Sequence, residues 1–420
     1  MTTTRKAADA AREIPAGDGA VLRDLAKRVA EIAAEPVMAE RVEMWRRHNS
    51  LHRVRPMILL VPEGSWRELL PDSSYACENN RARRMEGDLR RRIYTHEHFA
   101  DDSVIVGEWV VHKAIRSSGW GVKANWTFSD DPTGARAFDP VIREPADLKK
   151  LRLPKIWEDE NETKRRLAEA QDLFGDILDV RLKGAAHISY HLMAQYTSLR
   201  GLAEVMMDMI ENPGMLHEAM SILEEGHRGI LRQHVEQNLL SLNNDNTYHS
   251  SGGNGWTDEL PAERFDPNRV RPCDMWSSAE AQELAQVSPA MHEEFSMQYE
   301  KRLLDPFGLT GYGCCEDLTR KLDDVLRIPH IRRISCSPWA DVEQCAEKLG
   351  DGYIFSWKPN PTHLCGEWRP DAVREYIRHA LDATRGCVIE MILKDTHTCD
   401  GRLERFDEWA RIARELVEEY

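Results

Sequence analysis

The sequence predicts an α/β fold: a (β/α)8 TIM barrel over residues 55–420, behind an N-terminal helical extension over residues 1–54. Three observations predict it. Four consecutive apolar strands, each followed by an amphipathic helix, fill the chain from 305 onward. Earlier units of the same kind bring the count to about eight, the number that closes a barrel. No Gly-x-Gly-x-x-Gly stands at a strand-to-helix junction, so a doubly wound open sheet is the second choice.

Residues 1–54 read as helix, with Leu22, Leu25, Val29, Ile32 and Ala33 at helical spacing. PMILLVP (56–62) is a short apolar run closed by Pro62 and Gly64, which suits a first buried strand. Residues 65–160 hold a basic run, RARRMEGDLRRR, the β-leaning SVIVGEWVVH (103–112) and the turn-rich FSDDPTGARAFDP (128–140). They read as insertions around a core, and the basic run as a solvated face. VRLKGAAH (180–187) leads to two helical stretches separated by Asn212 and Pro213, and NLLSLNN (238–244) to a further strand. After the glycine-rich YHSSGGNG and VRPCDMW comes a helix with Ser288 as N-cap and Pro289 at its first position. The last four strands lie in DPFGLTGYGCC, IRRISCSPW, GYIFSWKPNP and CVIEMILKDTHTC. Right-handed crossovers through the intervening helices make them parallel.

Composition narrows the function. The chain has 420 residues, 30% of them charged, and a net charge of −15, with no basic stripe interleaved with aromatics, so nucleic acid is not an expected partner. The opening MTTTRKAADAAREI has no apolar stretch, and nowhere do eighteen apolar residues run together, so no membrane is expected and a cytoplasmic location is. Nine cysteines are odd in number and the chain is too large to need staples, which makes reduced thiols the default. Seven of the nine fall in the stretch from Cys314 to Cys399.

In such a barrel the active site lies at the carboxyl ends of the strands. Those positions carry Asn243, Asn244 and Asp245; Asp274 and Trp276; Cys314, Cys315 and Glu316; Cys336 and Ser337; Lys358 and Asn360; Asp395, His397 and Cys399. Polar residues begin loops in any protein, but cysteine does not. Soft sulfur with carboxylate and imidazole suits zinc, three ligands and an open fourth position being the catalytic pattern. On this reading Cys314, Cys315 and Glu316 supply one side of the ion and His397 or Cys399 the other. Cys345 and Cys387 read as packing residues, and His187 and His191 as structural histidines.

From about 180 to 420 the order of motifs resembles the uroporphyrinogen decarboxylase superfamily, in particular its zinc-dependent, corrinoid-linked methyltransferases. The resemblance rests on GYGCCEDLTRKL, ISCSPWADVEQCAEKLG, FSWKPNP and EMILKDTHTC. This chain has Gly-Cys-Cys-Glu where that group carries His-x-Cys, so Glu316 or the second thiol would replace the histidine, and the distal ligand falls near His397. RPMILLVPEGSW (55–66) lacks the arginine-rich signature that holds a porphyrinogen, which disfavours uroporphyrinogen as substrate.

The resemblance implies methyl transfer between a small O-, N- or S-methyl compound and a corrinoid carried by a separate protein, with zinc as Lewis acid, and a homodimer at the family level. Asn243, Tyr248, Trp276, Lys358 and Asn360 would bind substrate; Asp245 and Asp274 would orient it, and His249 would donate a proton. Two alternatives stand beside it. One is a decarboxylase of a non-porphyrin acid, using Lys183, Arg271 and Lys358 as cations; the other is a barrel without catalysis, acting as a scaffold.

Overall fold

The computed structural model describes residues 14–128 and 136–420, so most of the turn-rich 128–140 stretch lies outside the described residues. Its centre is a seven-stranded parallel sheet. In chain order the strands are β1 (Met57–Leu60), β2 (Ser189–Tyr190), β3 (Trp276–Ala279), β4 (Leu309–Tyr312), β5 (Ile331–Cys336), β6 (Ile354–Trp357) and β7 (Val388–Leu393). The spatial order is β1-β7-β6-β5-β4-β3-β2, so first and last strands are neighbours, with Met57 opposite Glu390 and Leu60 opposite Leu393. A parallel bridge between Ala185 and Leu240 adds the 238–244 segment, which is extended but makes no longer ladder.

Three of the final four βα units run as the apolar periodicity predicts, and the one after β4, expected as a full helix, does not. β5, β6 and β7 lead to helices Val342–Leu349, Pro370–Ala383 and Glu404–Glu418, while β4 leads to a single turn, Leu322–Val325. These helices bury one face each: Val373, Ile377, Ala380 and Leu381 in one, and Phe406, Trp409, Ile412, Ala413 and Leu416 in the next. Each such side chain contributes roughly 1.5–3 kcal/mol on burial. Cys345 and Cys387 lie in this core, in keeping with a packing role.

No ladder joins β1 to β2 among the described residues. The free edge of β1 is held by side chains instead: Ile58 N–H donates to Asp102 Oδ2 (2.9 Å) and Leu60 N–H to Asp101 Oδ2 (3.0 Å). Asp102 is itself clamped by Arg55 (2.6 Å) and Arg414 (2.7 Å).

The helical extension comprises Ala16–Ala33 and Pro36–Asn49. Its first helix packs with Asn80–His98, Glu160–Phe174 and the strand pair 108–112/179–183 into a second core around Leu22, Val29, Leu89, Trp109 and Phe174. The insertions thus join the extension in one layer. The second helix ends against residues of β5 and β7. There His48 lies 3.2 Å from Glu390, and Asn49 accepts from Arg333 (2.7 Å). Arg333 and Glu390 form a fully buried ion pair at 3.0 Å. Among the described residues no helix is long and apolar enough to cross a membrane.

Candidate functional site

Cys314 and Cys315 follow β4 directly. Gly313 between strand and thiols has φ +93, and a Cβ there would lie 2.6 Å from Leu318 Cδ1, so only glycine makes this turn without strain. Glu316 is fully buried and accepts from Cys314 N–H (2.8 Å) and Ala281 N–H (3.3 Å), pinning the thiol turn to the end of β3. Burial, with Glu280 nearby, pushes its carboxyl up to about 7.

The two sulfurs are 3.5 Å apart and half-buried. The tip of β7 faces them. Lys394 Nζ is 3.8 Å from Cys314 Sγ, 3.4 Å from Ser251 Oγ and 3.4 Å from Asp395 Oδ1, while Asp395 Oδ2 is 3.4 Å from Cys315 Sγ. Asp395 takes φ +58, a conformation that Asp tolerates better than most residues, and this carries its carboxylate toward the thiol. Glu63 after β1 completes the ring, 3.9 Å from Lys394.

A hydrogen bond from Cys315 draws the Cys314 thiol down to about 6; burial opposes it, and Lys394 and Ser251 assist. The same bond, with burial, drives Cys315 upward. The pair thus favours a single shared proton, with the ammonium of Lys394 beside Cys314 drawing the negative charge toward that sulfur. Next to them His191 pairs with Glu280. Burial works against the imidazolium but the hydrogen bond and charge of Glu280 raise it. Glu283 is pushed up to about 7 by burial and Glu280.

The other sequence-derived residues scatter. Cys399 is buried and bonds to Glu68 Oε2 (3.1 Å), and burial with Glu68 pushes its thiol up to about 12. His397 is exposed, packed over Gly64. No hydrogen bond links either to Cys314 or Cys315. Asn243 joins the 238–244 segment to β3, accepting from Trp276 N–H (2.9 Å) and donating to Ala186 O (2.7 Å). Asp245 pairs with Lys183. Asp274 lies at the amino end of β3, held by Arg271 (3.0 Å) and the Ala262 N–H, so it is a strand-start residue and not one at the carboxyl tip.

Trp276 is buried, its indole N–H on Gly255 O (3.0 Å). His249 is buried against Arg333 (2.8 Å), which with burial holds its pKa well below normal and unsuits it as a proton donor. Lys358 is buried on Ser356 O (3.2 Å), lowered to about 8 by burial. Asn360 caps a short turn through Thr362 N–H (3.0 Å). Tyr248 alone of the proposed substrate residues is exposed at the rim.

Among the described residues no group of three His, Cys, Asp or Glu side chains converges as on a metal ion. Cys314, Cys315 and Asp395 have the right donor chemistry, but the ammonium of Lys394 already stands against Cys314 and Asp395 as the cation of the cluster. As placed, these residues do not make a three-ligand zinc site.

Sequence reading reached Cys314, Cys315 and Asp395 and missed Lys394, Glu280 and the partnership of His191. A period-two reading of Glu390, Ile392 and Lys394 puts all three on one strand face and could have found the lysine. Glu280 was hidden because β3 is built of Trp276, Ser277, Ser278 and Ala279, too polar to register as a buried strand.

No family model and no curated protein matches this chain. Among solved structures, a methyltransferase from Methanosarcina mazei superposes with a TM-score of 0.48 at 11% identity, covering 88% of this chain and 97% of that one.

Proposed function

We propose that this chain is a methyltransferase acting on a small O-, N- or S-methyl compound, with a corrinoid on a separate protein as the other methyl carrier. The observation that supports it best is the pair of thiols Cys314 and Cys315, 3.5 Å apart with the Lys394 ammonium 3.8 Å from Cys314, at the carboxyl ends of β4 and β7. A thiolate in a half-buried pocket would attack the methyl carbon as its bond to the substrate heteroatom breaks, and would be regenerated when the S–CH3 bond breaks on transfer to the carrier. When a methyl group leaves a heteroatom, the electron pair stays behind and needs a proton. Glu283, raised to about 7 by burial, lies close to the thiols and can supply it, and His191, paired with Glu280, is a second donor there. Glu316 positions the thiol turn from beneath.

Zinc and the corrinoid carrier enter from the motif resemblance. The donor chemistry of Cys314, Cys315 and Asp395 agrees with zinc, and their present arrangement with Lys394 does not. The decarboxylase reading loses support from its own cations: Lys183 is paired with Asp245, Arg271 with Asp274, and Lys358 is buried.

The test is incubation of purified protein with cob(I)alamin and a panel of methyl ethers, amines and thioethers, following methylcobalamin formation, with metal analysis on the same sample. Methylation abolished by Cys314→Ser supports the reading. No methylation with any member of the panel overturns it. About one zinc per chain, lost on Cys314→Ser or Cys315→Ser, supports the metal-dependent form; an active protein free of zinc overturns that form alone.

A further inference from the structure

A cavity of about 640 Å³ opens at the seam between β1 and residues 183–187, within the usual range of small-molecule pockets. Its wall is largely apolar and includes Leu60, Val104, Val106, Val110, Trp66 and Trp256. The charged groups that line it are mostly committed. Lys183 pairs with Asp245, Arg92 with Asp88 (2.7 Å), and Glu108 with Arg181 (3.2 Å). His112 is held toward its neutral form by burial and by Lys183. Arg91 differs. Among the described residues its guanidinium has no carboxylate within ion-pair distance, and it lies 5.7 Å over the Trp66 ring, exposed at the mouth. An apolar chamber whose one uncommitted charge is positive selects a ligand with an apolar body and a single negative head.

The floor of the chamber is the hairpin Tyr248–His249/Gly253–Asn254, whose turn residue Gly252 also lines it. A Cβ on Gly252 would lie 2.8 Å from Ile392 and 3.7 Å from the Lys394 side chain. The hairpin therefore separates the chamber from the lysine beside Cys314 by the thickness of one backbone.

We propose that this cavity binds a small amphipathic monoanion, head group on Arg91 and apolar body along Val104, Val106 and Val110, as a site apart from the thiol centre.

Octanoate and its neutral isostere octanamide are the probes, measured by calorimetry on the full chain. One octanoate should bind per chain, about fivefold more tightly than octanamide, the discrimination expected of a charge-assisted contact at an exposed site. Arg91→Gln, an exposed position, should erase that preference while keeping octanamide binding. Thr95→Trp, which fills the chamber from its helix, should abolish both. Equal binding of the two probes, or octanoate binding unchanged in Arg91→Gln and Thr95→Trp, overturns the cavity as an anion site.

Discussion

Replacing Lys394 with Met removes the positive charge 3.8 Å from Cys314 Sγ while keeping the length of the side chain. Coulomb's law at that separation gives about 1 kcal/mol in bulk water and about 4 kcal/mol at an effective dielectric of 20. The thiols are half-buried, so the loss falls between these limits, equivalent to an upward move of about one to three pH units. The hydrogen bond from Cys315 survives the substitution and keeps the thiol from rising further. The assay is the pH dependence of iodoacetamide alkylation at Cys314, read peptide by peptide by mass spectrometry. The parent inflects near 6 and Lys394→Met near 8, with Lys394→Arg close to the parent. An unchanged inflection in Lys394→Met would refute the role of the ammonium, and an ordinary thiol inflection in the parent would refute the thiolate itself.

Other outcomes follow from the same structure. Glu390→Gln leaves Arg333 charged and buried without its counter-ion, and should cost about 3–5 kcal/mol in urea unfolding at neutral pH. Although burial opposes it, Glu390 is held far below its ordinary value by Arg333 and His48, so its contribution is complete above about pH 4.5 and lost as pH falls below that; Glu390→Gln should flatten this acid limb of the stability profile. Gly313→Ala forces a left-handed backbone on a residue with a Cβ, and should cost about 1–3 kcal/mol while slowing Cys314 alkylation at fixed pH. Cys399→Ala should cost about 1 kcal/mol and leave the alkylation rate of Cys314 unchanged, since Cys399 bonds only to Glu68 and the neighbouring backbone. A changed rate would mean that Cys399 belongs to the thiol centre.

What the amino-acid sequence disclosed depended on the kind of signal each element carries. β7 and the helix Glu404–Glu418 were legible because Val, Ile, Met and Leu repeat at the strand and helix periods. β3 was not, because a strand enclosed by side chains on every side can be made of serine and alanine. The same miss misplaced Asp274, which holds the start of β3 through Arg271, and concealed Glu280 at its tip. The thiol pair stood out because cysteine is rare in loops; the cation that activates it did not, because a lysine ending a strand looks like any solvent-facing lysine. His397 and Cys399 share a strand face in sequence, but the left-handed turn at Asp395 takes the chain away from the thiols, and no local pattern announces that turn.

The two aspartates that clasp β1 have a mechanical consequence. A backbone ladder fixes neighbouring strands at about 4.8 Å, and it cannot stretch without losing several bonds at once. A wall made of carboxylates and guanidinium groups has no such fixed pitch: Asp101 and Asp102 grip single amides, and Arg55 and Arg414 can follow them. Beside the cavity, β1 is therefore held on one edge by individual side-chain bonds, while its other edge pairs with β7 through a backbone ladder.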